Sequence, residues 1–220
     1  VEAVARGAWL GENNAKYWLD LLNHPPVCFG LEATVLEYDG RPYYELVIRN
    51  FRRQLPLLQV APDTWIAYFD SLGDREFIEH CAGILAEELR DCEILVTSES
   101  KGIPLVHEIA MHLKHPRYIV CRKERKAFMK DPIAVKYRPI TSAKELELVI
   151  DGRYVQYIRG RRVGIVDDIV STKNTMEAME KIVELAGGKV VKKATVLVEG
   201  EHHKDVIYLG VLPIFKKKNA

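Results

Sequence analysis

The sequence predicts an α/β fold, a parallel twisted sheet with helices on both faces, and two observations carry that prediction. From about residue 74 onward short apolar runs alternate regularly with helical ones, the pattern of strands joined by crossover helices. The clearest of those runs, Val163 to Asp168, ends in two acids and a hydroxyl-rich turn that opens a helix, and in parallel sheets the carboxyl ends of strands are where ligands sit.

Taken in order, residues 14 to 23 place Tyr17, Trp18, Leu21 and Leu22 at helical spacing before His24-Pro25-Pro26 stops the helix, since proline cannot continue it. Two β-rich runs, LEATVLEY and YYELVIRN, flank Asp39-Gly40-Arg41-Pro42. An Asp-Gly pair suits a tight reversal with positive φ, so residues 31 to 50 are expected to form an antiparallel hairpin. Residues 1–65 are thereby set apart as an N-terminal helix and hairpin, a candidate hood or flap, before a core spanning 66–220. In the core, REFIEHCAGILAEELR is a helix, EILVTS a strand, the segment after Gly102 a helix, and RYIVCR a strand. RRVGIVDD, the helix NTMEAMEKIVELA, its Gly187-Gly188 stop and the strand KVVKKATVLV complete the alternation.

One stretch breaks the rhythm. Residues 123 to 161 are rich in Lys and Arg, with a short β-like segment IAVKYRPIT and a helical piece expected at AKELELV. An excursion of that length inside a compact domain is commonly a functional loop. The terminal Lys216-Lys217-Lys218 run reads as a solvated tail.

The 220 residues are 48% hydrophobic with a formal net charge of +1, enough for one main core and too little charge to hold nucleic acid by bulk attraction. Cys28, Cys81, Cys92 and Cys121 show no CxxC spacing, so reduced, buried thiols are expected rather than zinc or disulfides. No apolar run approaches the roughly 20 residues that span a bilayer, so no membrane partner is expected and the cytoplasm is the expected compartment. His202-His203 is expected in an exposed loop, because adjacent histidines on extended backbone point apart and no third ligand is evident.

The chemistry concentrates in Val163-Gly164-Ile165-Val166-Asp167-Asp168-Ile169-Val170-Ser171-Thr172-Lys173-Asn174-Thr175. Backbone N–H groups at a helix amino terminus attract anions, and Ser171, Thr172 and Thr175 add hydroxyl donors, so a phosphate fits there. Asp167 and Asp168 would lie beside a sugar carrying that phosphate, where carboxylates accept hydrogen bonds from vicinal hydroxyls or help hold Mg²⁺. The segment resembles the phosphoribosyl pyrophosphate motif of the type I phosphoribosyltransferases: an apolar strand, two acids, small or apolar residues and a Thr-Gly-Gly-Thr turn. Lys173 and Asn174 stand where that motif has glycines.

Upstream, Leu95 to Pro104 is a second strand-to-helix turn that resembles the family's pyrophosphate loop. The resemblance assigns pyrophosphate binding to Ser100, Lys101 and Gly102, with Glu99 beside metal-bound water. Arg122 and Lys123 match the Arg-Lys pair after the next strand in purine phosphoribosyltransferases and are assigned to pyrophosphate as well. The resemblance covers about residues 74 to 200 and implies an Mg²⁺-dependent homodimeric enzyme that joins a purine base to the ribose 5-phosphate of phosphoribosyl pyrophosphate. The Arg-Lys pair, loop and acid motif are most similar to adenine and xanthine enzymes, so adenine is the first expectation, with xanthine, hypoxanthine or orotate as alternatives.

Cleaving the C1–pyrophosphate bond requires exclusion of water, so residues 128–157 are expected to be the family's mobile loop, with Tyr137, Arg138 and Ser142 as contacts. Phe51 and Arg52 are the candidates for the base. A non-catalytic regulator that senses phosphoribosyl pyrophosphate is the competing reading, and it lacks a basic DNA-binding helix at the amino terminus. A dinucleotide-binding protein is disfavoured because no GxGxxG follows the first core strand.

Overall fold

The structure, a computed structural model, describes residues 35–138, 145–200 and 203–217; the helix expected at 14–23 lies outside them. In chain order come β1 (Val35–Glu37), β2 (Tyr43–Ile48), β3 (Phe51–Ala61), β4 (Thr64–Ala67), α1 (Arg75–Glu88), β5 (Ile94–Ser98), α2 (Gly102–His112) and β6 (Ile119–Cys121). Next come β7 (Ile133–Tyr137), β8 (Leu146–Ile150), a 3₁₀ turn at Gly152–Tyr154 and the single-turn α3 (Val155–Ile158). β9 (Arg162–Val170), α4 (Asn174–Leu185), β10 (Lys189–Glu199), β11 (Ile207–Leu212) and β12 (Ile214–Lys216) close the described chain.

The expected parallel sheet is present, with strand order β11-β10-β9-β5-β6 and every neighbouring pair parallel. Leu95, Val166 and Ala194 face a core shared with α1 and α2, whereas Ile94, Val96, Val163 and Ile165 face α4. Strands covered on both sides read as unbroken apolar runs, which is why the sequence showed them plainly. The helices form where the pattern asks for them. Asp74 caps α1, its carboxylate accepting from the Phe77 amide at 3.1 Å, and Phe77, Ile78, Cys81, Ala82 and Leu85 form the buried stripe. At the end of α4 Gly187 takes φ +79, and the Gly188 and Gly187 amides close back on Val183 O and Glu184 O, the Schellman arrangement that only a residue tolerant of positive φ makes cheaply.

The chain runs from β5 to β6 on one side and returns to β9 on the other, so the order reverses between β5 and β9. Their pairing extends only from Ile94↔Val163 to Val96↔Ile165, while β9 stays paired with β10 as far as Val170. Beyond Ile165 the two central strands therefore part, at the kind of place where ligands sit in parallel sheets.

Two expectations about local structure are corrected. The first hairpin is not at Asp39-Gly40: β1 pairs in parallel with β12, and the antiparallel partners are β2 and β3, joined at Arg49-Asn50 with Arg49 at φ +56. Gly40 does take positive φ, but the Arg41 guanidinium folds back on the Asp39 carboxylate and the turn redirects the chain instead of reversing it. The described part of the segment AKELELV, expected to be helical, leads instead into β8, whose Leu148, Val149 and Ile150 are fully buried. It pairs with β7 from Ile133↔Ile150 to Tyr137↔Leu146, and Val149 exchanges both backbone hydrogen bonds with Arg122 at 2.8 Å. Non-local pairing outweighs helix propensity there.

A second sheet, in the order β1-β12-β4-β3-β2, takes β12 from the C-terminal end of the chain. Phe215 of β12 is buried and meets Tyr44 edge-on at 5.8 Å. Phe215→Ala is expected to cost about 3–5 kcal/mol, read from the midpoint of urea unfolding; a loss under about 1 kcal/mol would mean that β12 adds little to the N-terminal sheet.

Candidate active site

Asp167 and Asp168 lie near the carboxyl end of β9, where it has parted from β5, and are only 8% and 4% exposed. Successive residues of a strand face opposite sides, and the two acids accordingly meet different neighbours. The Asp168 carboxylate is 3.3 Å from Ser71 Oγ, a buried hydroxyl that also stands 3.2 Å from Lys101 O. Asp167 Oδ1 accepts from the Asp168 amide at 3.1 Å. Burial raises both carboxyls above the usual range. Asp167 is raised further by the charge of Asp168 and is opposed by Lys123, while Lys101 and Ser71 oppose the rise at Asp168. Burial and the neighbouring carboxyl thus disfavour a second negative charge at this place.

The turn after β5 leans over this pair. The Glu99–Ser100 peptide is cis, and α2 begins at Gly102 without a side-chain cap, leaving first-turn amides other than that of Ile103, which reaches Ser100 O at 3.3 Å, for another acceptor. A Cβ on Gly102 would lie 2.2 Å from Thr97 Oγ1 and 3.2 Å from Asp167 Oδ1; only glycine lets the loop come this close. Lys101 Nζ lies 3.3 Å from Asp70 Oδ1 and above the Tyr68 ring. The residues expected from the third strand end arrive at the same place. Glu99 accepts from the Lys123 amide, and its other oxygen is 2.8 Å from Arg122 Nε. Glu99, Ser100, Lys101, Gly102, Arg122 and Lys123 therefore form one cluster beside the acid pair.

On the far side of β9 the chain turns through Ser171, Thr172 and Lys173 into α4, whose N-terminus also has no side-chain cap. Lys173 has φ −73 and ψ 0, an ordinary conformation for an L residue, so the turn does not require a glycine at that position. Its ammonium is 2.7 Å from Asp205 Oδ1, and Asn174 Nδ2 donates to Arg138 O at 2.8 Å. Thr175 hydrogen-bonds Tyr137, whose phenol is shifted upward mainly by burial. His203, expected in an exposed loop, is only 8% exposed; its Nε2 lies 3.3 Å from Ser171 O, so local packing overrides the polar character of EGEHHKD. His202 lies outside the described residues, as does Ser142.

Phe51 and Arg52, expected near the base, are engaged elsewhere. The Phe51 ring stacks on His80 at 4.9 Å and lies under the Arg53 guanidinium, and Arg52 pairs with Glu45 at 2.6 Å. Ser71, Asp70, His203 and Asp205 reach the site without having been singled out for it. Asp70-Ser71 falls in a connection with no periodicity, and Asp205 is brought back by the path of the chain after β10; neither carried a local signal. Among the described residues no group of three or more His, Cys, Asp or Glu could hold a metal ion unaided.

Comparison with known proteins places this geometry in a family. The phosphoribosyl transferase domain family matches residues 69–216. An adenine phosphoribosyltransferase of Thermosipho africanus is 29% identical over 177 residues, covering 78% of this chain and 95% of the relative. A hypoxanthine/guanine phosphoribosyltransferase of Methanococcus voltae is 36% identical over 107 residues, and the match spans only 49% of this chain and 53% of that relative. Among solved structures, adenine phosphoribosyltransferase of Thermoanaerobacter pseudethanolicus superposes with a TM-score of 0.54 at 21% identity, covering 77% of this chain and 95% of the other, which shows a shared fold. The uncapped turns around a buried acid pair, on a chain matched by the domain across the whole of the parallel sheet, make it a phosphoribosyltransferase, a member of the phosphoribosyl transferase domain family.

Proposed function

We propose that the chain transfers ribose 5-phosphate from phosphoribosyl pyrophosphate to a purine base, adenine first, with release of pyrophosphate in nucleotide salvage. The observation that carries this is the buried pair Asp167-Asp168 standing between two uncapped helix N-termini, at α2 and α4. Each N-terminus suits an anion, and the spacing of pyrophosphate, ribose and 5-phosphate in one substrate requires two anion sites flanking a sugar site. Adenine is preferred because the Thermosipho relative, matched over 95% of its length, is named for it, whereas the hypoxanthine/guanine relative is matched over about half.

In this assignment Ser171, Thr172, Lys173, Asn174 and Thr175 form the turn for the 5-phosphate, through backbone N–H groups and the hydroxyls. Glu99, Ser100, Lys101, Gly102, Arg122 and Lys123 surround the pyrophosphate, with the cations of Lys101, Arg122 and Lys123 drawing off the charge that grows on the leaving group. Asp167 and Asp168 accept hydrogen bonds from the ribose hydroxyls and favour positive charge developing at C1. The β7–β8 hairpin, tied to the phosphate turn through Asn174 and Thr175, would shield the ring from water. Phe51 and Arg52 would require rotation out of their present pairings to reach a base, so the base contact is better sought elsewhere on the N-terminal sheet. A cytoplasmic homodimer is part of the same proposal.

Mg²⁺ fits the acid pair on chemical grounds. Two carboxylates raised by burial and by each other gain most from a nearby cation, and Mg²⁺ is commonly held by one or two carboxylates with substrate oxygens and waters completing its shell. Asp167 and Asp168 would hold it, and it would supply charge neutralisation at the pyrophosphate.

Pyrophosphate release should be measured with phosphoribosyl pyrophosphate, Mg²⁺ and adenine, hypoxanthine, guanine, xanthine, uracil or orotate offered singly. Turnover with adenine is expected; turnover with orotate or uracil alone would overturn the purine assignment. Asp168→Asn should lower kcat by at least about 100-fold with the fold intact, and undiminished turnover would remove Asp168 from the sugar site. The acid pair also predicts a pH signature. A carboxyl whose folded pKa is raised favours the folded state when protonated, and this contribution is lost as pH rises from the unfolded value through the folded one. Asp167→Asn should therefore raise the melting temperature of the ligand-free protein at pH 8, by about 3 °C or more, and change it little at pH 4; equal effects at both would refute the buried-charge account.

A further inference from the structure

The phosphate turn is held from outside by a segment that follows β10. Asp205 Oδ1 takes the Lys173 ammonium at 2.7 Å, and its other oxygen is 3.0 Å from Lys193 Nζ on β10. Lys193 in turn pairs at 2.8 Å with Glu180, two turns along α4. Beside this chain of charges His203 meets Ser171 O. The four ionised groups thus run from the turn, through the 203–205 segment and the sheet, back to the helix that the turn opens. Lys193 is only 16% exposed, so its end of the network is well shielded from solvent, and Asp205 is held well below the usual carboxylate range by its hydrogen bonds, first from Lys173 and then from Lys193.

From this arrangement we infer that Asp205 is a positioning residue for the 5-phosphate turn: it engages the side chain that stands in place of a family glycine and fixes the backbone amides of residues 171–175 in the shape that receives the phosphate. The inference rests on the assignment of that turn to the 5-phosphate. A lysine free to swing would give the turn many arrangements, each of which must be given up on binding. Tied to Asp205, its charge is already balanced by a carboxylate, and affinity comes from the amides and hydroxyls. Asp205 acts through Lys173 and does not itself meet the substrate.

The test is a double-mutant cycle read by calorimetric binding of ribose 5-phosphate and by steady-state kinetics. Asp205→Asn and Lys173→Ala should each weaken ribose 5-phosphate binding by about threefold to fivefold, the strength of a partly exposed ion pair. The double variant should be no weaker than either single one, because both remove the same link. Asp205→Glu, which keeps the charge, should recover most of the affinity. KM for phosphoribosyl pyrophosphate should rise with Asp205→Asn while KM for the base stays put, and melting temperatures should change little. Tighter binding in Asp205→Asn, lost again on adding Lys173→Ala, would mean that the lysine serves the phosphate directly and would overturn the proposal. Unchanged binding in every variant would overturn it as well, showing a solvated surface pair. If the wild-type chain itself fails to bind ribose 5-phosphate, the assignment of the turn is what fails.

Discussion

Two carboxylates kept out of water at the parting of two strands are the constraint on which the rest of this structure turns. Asp167 and Asp168 sit on the central strand, covered on both faces, at the level where β5 no longer pairs with β9. Burying one ionised acid is costly, and burying two in succession is more so. The surroundings answer that cost piecemeal: Ser71 offers a hydroxyl, Lys101 and Lys123 offer charge, and Gly102 lets the neighbouring loop approach without a side chain in the way. In the proposed assignment, a ligand that brings hydroxyl donors or a cation to that spot would relieve the remaining strain.

The sheet topology explains why the three loops converge although they are separated by 20 to 50 residues. Parallel strands all deliver their carboxyl ends to the same edge, so the loops after β5, β6 and β9 meet without any long-range contact having to be specified for each. Glu99 then locks two of them together by accepting from the Lys123 amide and pairing with Arg122. The third is joined through Asp167 itself. One consequence is that substitutions in any of the three loops should be felt by the others through very short paths.

Most of the core was legible in the sequence because its signals are local. The central strands of the parallel sheet appear as apolar runs, α1 and α4 as amphipathic repeats with Gly187 marking a stop, and the acid pair announces itself on a strand. The first hairpin and β8 were misread for the opposite reason. Asp39-Gly40 has the chemistry of a reversal, but whether β1 turns back onto β2 depends on β12, about 175 residues away, and Leu146–Ile150 form a strand because β7 and Arg122 offer partners. The same limit applied at the site. Ser71 and Asp205 have no motif around them, and their positions are set by where the chain returns after packing is complete, which no spacing rule encodes.

The insertion of β12 between β1 and β4 carries a consequence for how the chain is made. The strands that flank it are among the first described residues to be synthesised, and β12 is the last described element. At ordinary rates of synthesis the N-terminal strands wait on the order of ten seconds for the strand that separates them, with β1 unpaired and one edge of β4 open throughout. Exposed edges of that kind recruit other strands. Nascent chains of this protein should therefore be open to misassociation along that edge until β12 emerges, and slowing the ribosome between β4 and β12 would lengthen the exposure rather than relieve it.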